Sequence, residues 1–280
     1  MRIVVVGARG QLGAAVVHAA SARHEVIALD RAALDISDAA AVRAKFAEVR
    51  PDVVINCAAY NAVDDAEDHA ADAIRGNAMA VRNLVRALDG ATLVHYSTDF
   101  VFDGHGDRPY LESDPPNPLS VYAMSKLMGE WFGLDAPRSY VLRVESLFGQ
   151  APGAAPAKGS VAGIVNMLRR GDRPKVFVDR TVTPTYIIDC ADATLALLET
   201  QAPTGLYHCV TSGSCTWYEL AEEAARVLGV PANLEGVRFA DARLKAARPQ
   251  YCVLSNQKMQ DAGAPMRSWQ EALRDYLGRS

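Results

Sequence analysis

Short, continuously apolar runs alternate along this chain with longer segments whose apolar residues recur at helical spacing. Residues 2–6, Arg-Ile-Val-Val-Val, form the first run, which is typical of a strand buried on both faces of a parallel sheet. The predicted strands are residues 2–6, 25–29, 52–57, 92–97 and 139–144; the predicted helices are about 11–22, 38–49 after a Ser37 cap, 66–88 and one beginning near Ser120. This alternation predicts an α/β fold with a doubly wound parallel sheet.

The pattern becomes less regular after Gly149, where a Pro/Ala/Gly-rich loop spans residues 151–160. The elements predicted beyond it are a helix at about 160–170, strands at 175–179 and 205–210, a helix after Asp189, and two helices that start with the capping boxes Thr216-x-x-Glu219 and Ser268-x-x-Glu271. We therefore expect a main domain over residues 1–150, with segments from about 174–200 returning to it, and a smaller lobe formed mainly by residues 151–280. A ligand cleft between the two follows from this division.

The helix that begins near Ser120 carries Tyr122 and Lys126 on one face, because residues four apart are separated by roughly 40° around a helix axis. Gly129 and Gly133 share that face and leave room for something to approach closely. The opposite face is a broad apolar stripe, which we expect to pack against the sheet, with Trp131 in the core. The stripe consists of Met124, Leu127, Met128, Trp131 and Phe132.

Tyr122 and Lys126 together suit general acid–base chemistry on an alcohol or a ketone. A phenol with a pKa near ~10 is a weak acid at neutral pH unless a neighbouring cation stabilises its phenolate. The ammonium one helical turn away supplies such a cation. Because Tyr-x-x-x-Lys spacing is common by chance, its weight depends on the motifs that precede it.

A glycine-rich segment, Gly7-Ala8-Arg9-Gly10-Gln11-Leu12-Gly13, directly follows the first strand and opens the first helix. The glycines permit a tight turn and close backbone approach, and the helix N-terminus favours a pyrophosphate, so we predict dinucleotide binding by the main domain. Asp30, at the end of the second strand, can accept hydrogen bonds from an adenosine ribose, and its charge repels a 2′-phosphate. The adjacent Arg31 reduces that repulsion. NADH is favoured and NADPH stays open.

Two later strands also end in residues suited to a ligand site, since ligands bind at the carboxyl edge of such sheets. Ala58 and Ala59 would leave space for the ribose or nicotinamide side of the cofactor. Thr98 is well placed to hydrogen-bond a substrate oxygen.

Composition narrows the function classes. The 280 residues carry a formal net charge of −4 with a pI near 5.9, which gives no electrostatic reason to expect nucleic acid or an anionic membrane. The apolar segment 1–7 is too short for a signal peptide or a membrane span. Five scattered cysteines without a Cys-x-x-Cys motif predict free thiols in a reducing compartment, so we expect a cytoplasmic protein. The six histidines show no paired ligand spacing, which favours surface or core roles, so we expect no metal site.

Taken together, these residues resemble the dTDP-4-dehydrorhamnose reductase family of the extended short-chain dehydrogenase/reductase superfamily, which has a Rossmann fold. The main matching segments are GARGQLG at 7–13, ALD and LDISD within 28–38, PDVVINCAAYNAVDDAE at 51–67, NAMAVRNL at 77–84, STDFVFDG at 97–104 and PLSVYAMSKLMGE at 118–130. Weaker matches are TPTY at 183–186, RPQYCVLSNQKM at 248–259 and SWQEAL at 268–273.

The resemblance implies reduction of the C4 ketone of a nucleotide-linked 6-deoxyhexulose, with dTDP-4-dehydro-L-rhamnose as the first substrate to consider. NADH or NADPH would supply hydride, Tyr122 would protonate the alkoxide, Lys126 would bind the nicotinamide ribose and depress the pKa of the phenol, and Thr98 would orient the carbonyl. The implied cofactor-binding residues are Gly7, Gly10, Gln11, Leu12, Gly13, Asp30, Arg31, Cys57, Ala58, Ala59, Tyr60, Tyr122 and Lys126. The substrate-binding candidates are Thr98, Asp99, Val101, Ser146, Arg180 and Arg248.

Departures from the family pattern lie on the substrate side. Asp99 is followed by Phe100 instead of the glutamate of related dehydratases, so elimination of water lacks its base and ketone reduction is favoured. Where the reductases usually read Arg-Thr-Ser-Trp-Val-Tyr-Gly, Ser146 replaces the aromatic residue and a carboxylate, Glu145, enters. Arg180 and Arg248 are candidate partners for a substrate pyrophosphate because guanidinium matches phosphate oxygens.

These departures leave two alternatives open. One is a reductase of another sugar nucleotide or carbonyl compound. The other is a non-catalytic NAD(P)-binding regulatory subunit that works through a partner protein. A nucleotide sugar is the expected partner, and a homodimer is left open because dimers are common in the superfamily.

Overall fold

The computed structural model describes residues 1–279. The strands are β1 (Arg2–Val6), β2 (Glu25–Leu29), β3 (Val53–Asn56), β4 (Thr92–Thr98), β5 (Ser139–Val144), β6 (Leu147–Phe148), β7 (Lys175–Phe177), β8 (Thr181–Val182), β9 (Thr185–Tyr186), β10 (Gly205–His208), β11 (Cys215–Thr216) and β12 (Glu235–Val237). The α-helices are α1 (Gln11–Ser21), α2 (Ala39–Val49), α3 (Ala70–Ile74), α4 (Ala80–Arg86), α5 (Val121–Leu134), α6 (Ser160–Arg169), α7 (Ile187–Glu199), α8 (Trp217–Leu228), α9 (Gln257–Asp261) and α10 (Trp269–Arg279).

Six strands form one parallel sheet in the order β10-β5-β4-β3-β1-β2. Helices α1 and α7 cover one face, and α2 and α4 cover the other, because each strand places apolar residues on both faces. The chain turns back across the sheet at β1, so a crevice opens beside β1 and β3 at the carboxyl edge. The predicted doubly wound α/β fold is confirmed.

A second hydrophobic core lies outside the main sheet and gathers α6, α8 and α10 with several two- and three-residue strands. Trp217, the first residue of the capped helix α8, is buried in it. In contrast, α7 and β10 belong to the main core and sheet. The division at about residue 150, with returning segments, stays a prediction.

Several predicted boundaries differ from the observed ones. The N-cap of α2 is Asp38, whose carboxylate accepts the N–H groups of Ala40 and Ala41, and not Ser37. The predicted helix 66–88 is broken into a 3₁₀ turn, α3, a π-helical turn (Arg75–Met79) and α4. Helix α7 begins at Ile187, before Asp189, so the aspartate lies in its first turn. Both predicted capping boxes, at Thr216 and Ser268, are present.

The orientation predicted for α5 is wrong. Its apolar stripe faces outward at Met124 and Trp131, and the side chain expected in the core, Trp131, is 55% exposed. The face that carries Tyr122 and Lys126 packs inward instead, because the glycines on it allow the main chain of the π-helical turn to approach. A Cβ at position 129 would lie 2.3 Å from the carbonyl oxygen of Asn77.

Among the described residues, no helix combines the length and the apolar character that crossing a membrane requires. All five cysteines are free thiols, and four of them are buried.

Candidate active site

The carboxyl ends of five neighbouring strands bring the candidate residues to one edge of the sheet. Gly7 follows β1, Asp30 follows β2, Cys57 follows β3, Asp99 follows β4 and Glu145 follows β5. Residues that are far apart in sequence therefore line one row, with the cofactor candidates toward β2 and the substrate candidates toward β5.

The glycine turn after β1 is required by close backbone packing. Gly7 has φ +74°, and a Cβ there would lie 2.6 Å from the amide nitrogen of Ala58. A Cβ at Gly13 would lie 2.3 Å from the carbonyl oxygen of Gly7. The turn thus draws the N-terminus of α1 onto the sheet edge, where its unpaired N–H groups can receive an anion.

Two of the predicted cofactor residues in this turn use their side chains structurally. Gln11 donates a hydrogen bond from Nε2 to the carbonyl oxygen of Gly149 (3.0 Å), and Leu12 is buried in the main core. Their backbone amides, in the first turn of α1, are the groups that remain for a ligand.

A cleft of about 730 Å³ lies beside the glycine turn. Eight of the predicted cofactor residues line it: Gly7, Gly10, Asp30, Arg31, Cys57, Ala58, Ala59 and Tyr60. Its size and its position at the switch of strand order fit a dinucleotide. The residues present therefore fit the cofactor that the glycine motif predicts.

Arg9 also lines this cleft, and sequence reasoning missed it as a site residue. Its Nε lies 2.8 Å from Oδ2 of Asp30, whose Oδ1 accepts the N–H of Ala33 at 2.9 Å. A guanidinium beside the Asp30 carboxylate offsets its repulsion of a 2′-phosphate. The position of Arg9 inside the glycine motif, between Gly7 and Gly10, is the sequence feature that could have identified it.

Tyr122 and Lys126 are both held on the buried face of α5. The Lys126 Nζ donates to the carbonyl oxygen of Tyr96 (2.6 Å), and burial lowers the pKa of this amine to about 8 although the Glu130 carboxylate opposes the shift. Burial raises the pKa of the Tyr122 phenol, while a hydrogen bond with Thr98 acts in the opposite direction. Burial therefore has the largest effect on the acidity of the phenol.

Thr98 lies at the end of β4, next to the phenol. Its hydroxyl donates to Oδ1 of Asp99 (3.0 Å) and accepts the N–H of Phe100 (3.2 Å), which caps the 3₁₀ turn that follows. Phe100 packs edge-on against Tyr122 with ring centroids 5.9 Å apart. The threonine, the tyrosine and the carboxylate are thus one connected group.

The 730 Å³ cleft is not lined by Thr98, Tyr122 or Lys126 themselves. These residues adjoin side chains that do line it. Cys57 lines the cleft and interacts electrostatically with the Lys126 ammonium. Tyr60 also lines it and packs in one hydrophobic cluster with Tyr122. The structure therefore brings the three residues together next to residues that line the cleft.

A buried ion pair holds α5 against the sheet. Arg143 on β5 binds both oxygens of Glu130 (2.8 and 2.7 Å), and Ser97 donates to the same carboxylate at 2.6 Å. On the other side of α5, Asn77 donates to Ser125 Oγ (2.9 Å) and pairs with the backbone of Tyr60. These contacts fix the position of the face that carries Tyr122 and Lys126.

Two buried carboxyl groups lie side by side at the ends of β4 and β5. Thr98 pairs with Val144 across these strands, so the following residues, Asp99 and Glu145, become neighbours. Single oxygens of the two carboxyls and the sulfur of Cys252 all lie within 4.8 Å of one another. Sequence reasoning noted Glu145 only as a departure, because the register that brings it to Asp99 is not local.

The remaining substrate-binding candidates are placed unequally. Val101 is fully buried with Phe102 in a small hydrophobic cluster, so its side chain packs in the interior. Ser146 is partly exposed with φ +43°. Arg248 donates to Asp64 at 2.9 Å, and its Nη1 is buried with no partner among the described residues. Asp64 therefore holds this arginine in place.

Arg180 lies beside the carboxyl pair. Its guanidinium is 5.6 Å from the ring centre of Phe100 and 5.5 Å from that of Phe239, and Nε donates to the carbonyl oxygen of Pro249 (3.1 Å). The pKa of Asp99 is raised to about 6 by burial, with Arg180 opposing the shift. Burial and the Asp99 charge raise the pKa of Glu145 well above its usual range.

Comparisons with known proteins agree with this geometry. The RmlD substrate binding domain family matches residues 1–280. A probable dTDP-4,6-dihydroxy-2-methyloxan-3-one 4-ketoreductase from Streptomyces antibioticus is 39% identical over 98% of this chain and 94% of its own length.

Two solved structures are similar along the whole chain. A dTDP-4-dehydrorhamnose reductase from Clostridium acetobutylicum has a TM-score of 0.93 and 35% identity, covering 100% of this chain and 99% of that one. A Bacillus anthracis dTDP-4-dehydrorhamnose reductase in complex with NADP has a TM-score of 0.92 and 30% identity, with the same coverage.

Proposed function

The chain belongs to the RmlD substrate binding domain family, and from that premise we propose that it is an NAD(P)H-dependent reductase of the C4 ketone of dTDP-4-dehydro-L-rhamnose. The observation that carries the proposal is the meeting of Thr98, Tyr122 and Lys126 beside the cleft at the glycine turn. Relatives named dTDP-4-dehydrorhamnose reductase support the substrate class.

The reaction needs a hydride and a proton at the two ends of a carbonyl group. A nicotinamide bound at the cleft supplies the hydride. The residues that would hold the cofactor are those around the glycine turn, with Asp30 and Arg31 near its adenosine end. The chain's own task is then to position the ketone and to deliver the proton.

Tyr122 is the proton donor in this proposal. Its burial favours the protonated phenol, so the proton is retained until an alkoxide develops next to it. Thr98 holds the phenol on one side and would turn its hydroxyl toward the substrate oxygen. Lys126, already anchored on the carbonyl of Tyr96, would present its charge to the cofactor ribose and to the phenolate that forms.

The adenosine end of the cleft supports use of both reduced cofactors. Asp30 suits a ribose hydroxyl, whereas Arg9 and Arg31 bring positive charge to the same place. The similar Bacillus anthracis structure holds NADP. We therefore propose that both NADPH and NADH serve as the hydride donor.

The test mixes purified protein and NADPH with dTDP-4-dehydro-L-rhamnose, and follows cofactor absorbance and the sugar product. Tyr122→Phe removes only the proton donor and is expected to lower kcat by about 10²- to 10⁴-fold. Tyr140→Phe is the matched control, because that phenol donates to the carbonyl of Ala202 at the opposite end of β5 and takes no part in the site. Equal rates for wild type and Tyr122→Phe would contradict the assignment.

The identity of the sugar is tested with a panel of dTDP-linked ketones. The Streptomyces antibioticus relative is named for a different dTDP-linked ketone, and Glu145 and Ser146 stand where the substrate is expected. Turnover confined to another ketone in the panel would replace the substrate while keeping the chemistry.

Assembly and location remain proposals. The free thiols fit a reducing compartment, so we propose that the protein works in the cytoplasm. A homodimer stays a prediction that light scattering of the purified protein measures.

A further inference from the structure

Asp99 and Glu145 are two carboxyl groups that the proposed chemistry leaves without a role. Both residues are at least 97% buried, and they come from adjacent strands in register. One oxygen of each, Asp99 Oδ2 and Glu145 Oε1, has no hydrogen-bond partner among the described residues. Buried acceptor atoms without a donor are costly, so their state needs an explanation.

Charge balance supplies that explanation. Arg180 is the cation whose charge acts on both carboxyls, and in each it opposes the effect of burial. Two ionised carboxylates with one guanidinium would leave a net negative charge in a buried space. One proton retained on the pair makes the cluster neutral and supplies a donor between the two acids.

The other groups that face the pair do not change this balance. The Cys252 thiol lies against both acids, and the Cys215 thiol faces Glu145. Burial raises the pKa of both thiols, so they stay neutral. Thr183 contributes its backbone N–H to Glu145 Oε2 at 2.6 Å. The Tyr122 phenol faces Asp99 and is also kept protonated by burial.

The pair is connected to the proposed proton donor. Asp99 Oδ1 accepts the Thr98 hydroxyl at 3.0 Å, and that hydroxyl in turn interacts with Tyr122. A row of exchangeable groups therefore runs from Glu145 through Asp99 and Thr98 to the phenol, with oxygens of the two carboxyls within 4.8 Å of each other. Resting on the function proposed above, we infer that Asp99 and Glu145 share one proton and return it through Thr98 to the Tyr122 phenolate after each reduction.

The transfer balances without a further reactant. After Tyr122 has protonated the substrate alkoxide, an O–H bond forms on the phenolate as Thr98 gives up its proton. Thr98 regains a proton from Asp99, which holds the shared proton at that moment, so both carboxyls are left ionised. The net change is one proton moved from the pair to the phenol, and the pair is recharged by the solvent proton that the reduction consumes. No electrons are transferred in this step.

The shared proton can be tested without any substrate. Infrared difference spectra at pH 7 compare the wild type with Glu145→Gln and with Asp99→Asn. We expect a C=O stretch of a protonated carboxyl in the wild type that is lost in each variant, because Arg180 neutralises the single carboxylate that remains. Spectra in which neither substitution removes such a band would overturn the sharing.

The return of the proton from the carboxyl pair to Tyr122, here called the relay, is tested by stopped-flow oxidation of NADPH at pH 8 with the dTDP-linked ketone. Glu145→Gln keeps the acceptor for the Thr183 N–H and the side-chain size. It is expected to complete the first turnover at the wild-type rate and to run later turnovers at least about tenfold more slowly. Glu145→Asp, which restores an acid, should recover most of the rate.

Cys252→Ser is the matched control, because it changes the same cluster without removing an acid. Its first and later turnovers should run at the same rates as those of the wild type. Equal slowing of first and later turnovers, or no slowing at all, by Glu145→Gln would overturn the relay. A wild type that oxidises cofactor with none of the ketones would instead overturn the proposed function, and the infrared comparison would still decide whether the proton is shared.

Discussion

Lys126 places an ammonium where only 3% of the residue is exposed, and its Nζ donates a hydrogen bond to the backbone carbonyl of Tyr96. Burying a charge with so few partners is unfavourable, and the lowered pKa of about 8 reports that cost. Such a cost is retained where the charge has a function, which in the proposed reaction is to face the cofactor and the phenolate.

Replacement of this lysine should reveal the cost as a gain in stability. The folded-state pKa of about 8 is below the usual 10.5, so the unfavourable charge is fully present below pH 8 and disappears as pH rises toward the usual value. Lys126→Met should therefore be more stable relative to wild type at pH 7 than at pH 10, by about 2–3 kcal/mol. Urea unfolding of both proteins at the two pH values measures this; a pH-independent difference would contradict it.

Helix α5 shows why a helical pattern can be assigned correctly and oriented wrongly. Its start at Ser120 was predictable from the cap, whose hydroxyl accepts the N–H of Ala123. Its inward face was not, because the buried groups on it are polar and are satisfied only by distant residues such as Arg143 and Asn77. An apolar stripe is a good guide only when no polar network competes for the interior.

The ion pair on this inward face should be essential once formed. Glu130→Gln leaves the Arg143 guanidinium buried without its carboxylate, and we expect a loss of about 3–5 kcal/mol of unfolding free energy. The double variant Glu130→Leu with Arg143→Met removes both charges and should recover most of that loss. Urea denaturation measures the three proteins. A single variant as stable as wild type would contradict the inferred role of the pair.

Two helical glycines provide a matched comparison of packing. Gly129→Ala would set a methyl group 2.3 Å from the Asn77 carbonyl, and we expect it to destabilise the protein by about 1–3 kcal/mol. Gly163→Ala on α6 meets no atom within 4 Å, so it should stabilise by about 0.4–1 kcal/mol through a less flexible unfolded chain. Thermal unfolding of the two variants should shift in opposite directions, and a shift in the same direction would be inconsistent with the close approach at α5.

On the scale of the whole molecule, the two hydrophobic cores have different roles. The main core supports the sheet whose carboxyl edge carries the site, and the second core supports the segments that bring Arg180 and Cys252 to that edge. The carboxyl cluster therefore lies where the two parts meet, which is the usual place for a ligand site.

Two of the three tryptophans, Trp131 and Trp217, test whether the outward face of α5 is exposed and the second core is packed. Trp217→Ala empties a buried position of the second core and should cost about 3–5 kcal/mol. Trp131→Ala changes an exposed position and should alter stability by no more than about 0.5 kcal/mol. Calorimetry of the two variants measures the contrast, and a larger loss for Trp131→Ala would mean that this helix face is covered.

Local sequence patterns alone were sufficient for the sheet, the glycine turn and the candidate residues Tyr122, Lys126 and Thr98, because strand runs, capping residues and fixed spacings act over a few positions. Only the tertiary structure decided the orientation of α5, the pairing of Arg9 with Asp30 and the meeting of Asp99 with Glu145. Those features depend on strand order, on register and on which polar groups find partners after the chain has packed, and no local pattern contains that information.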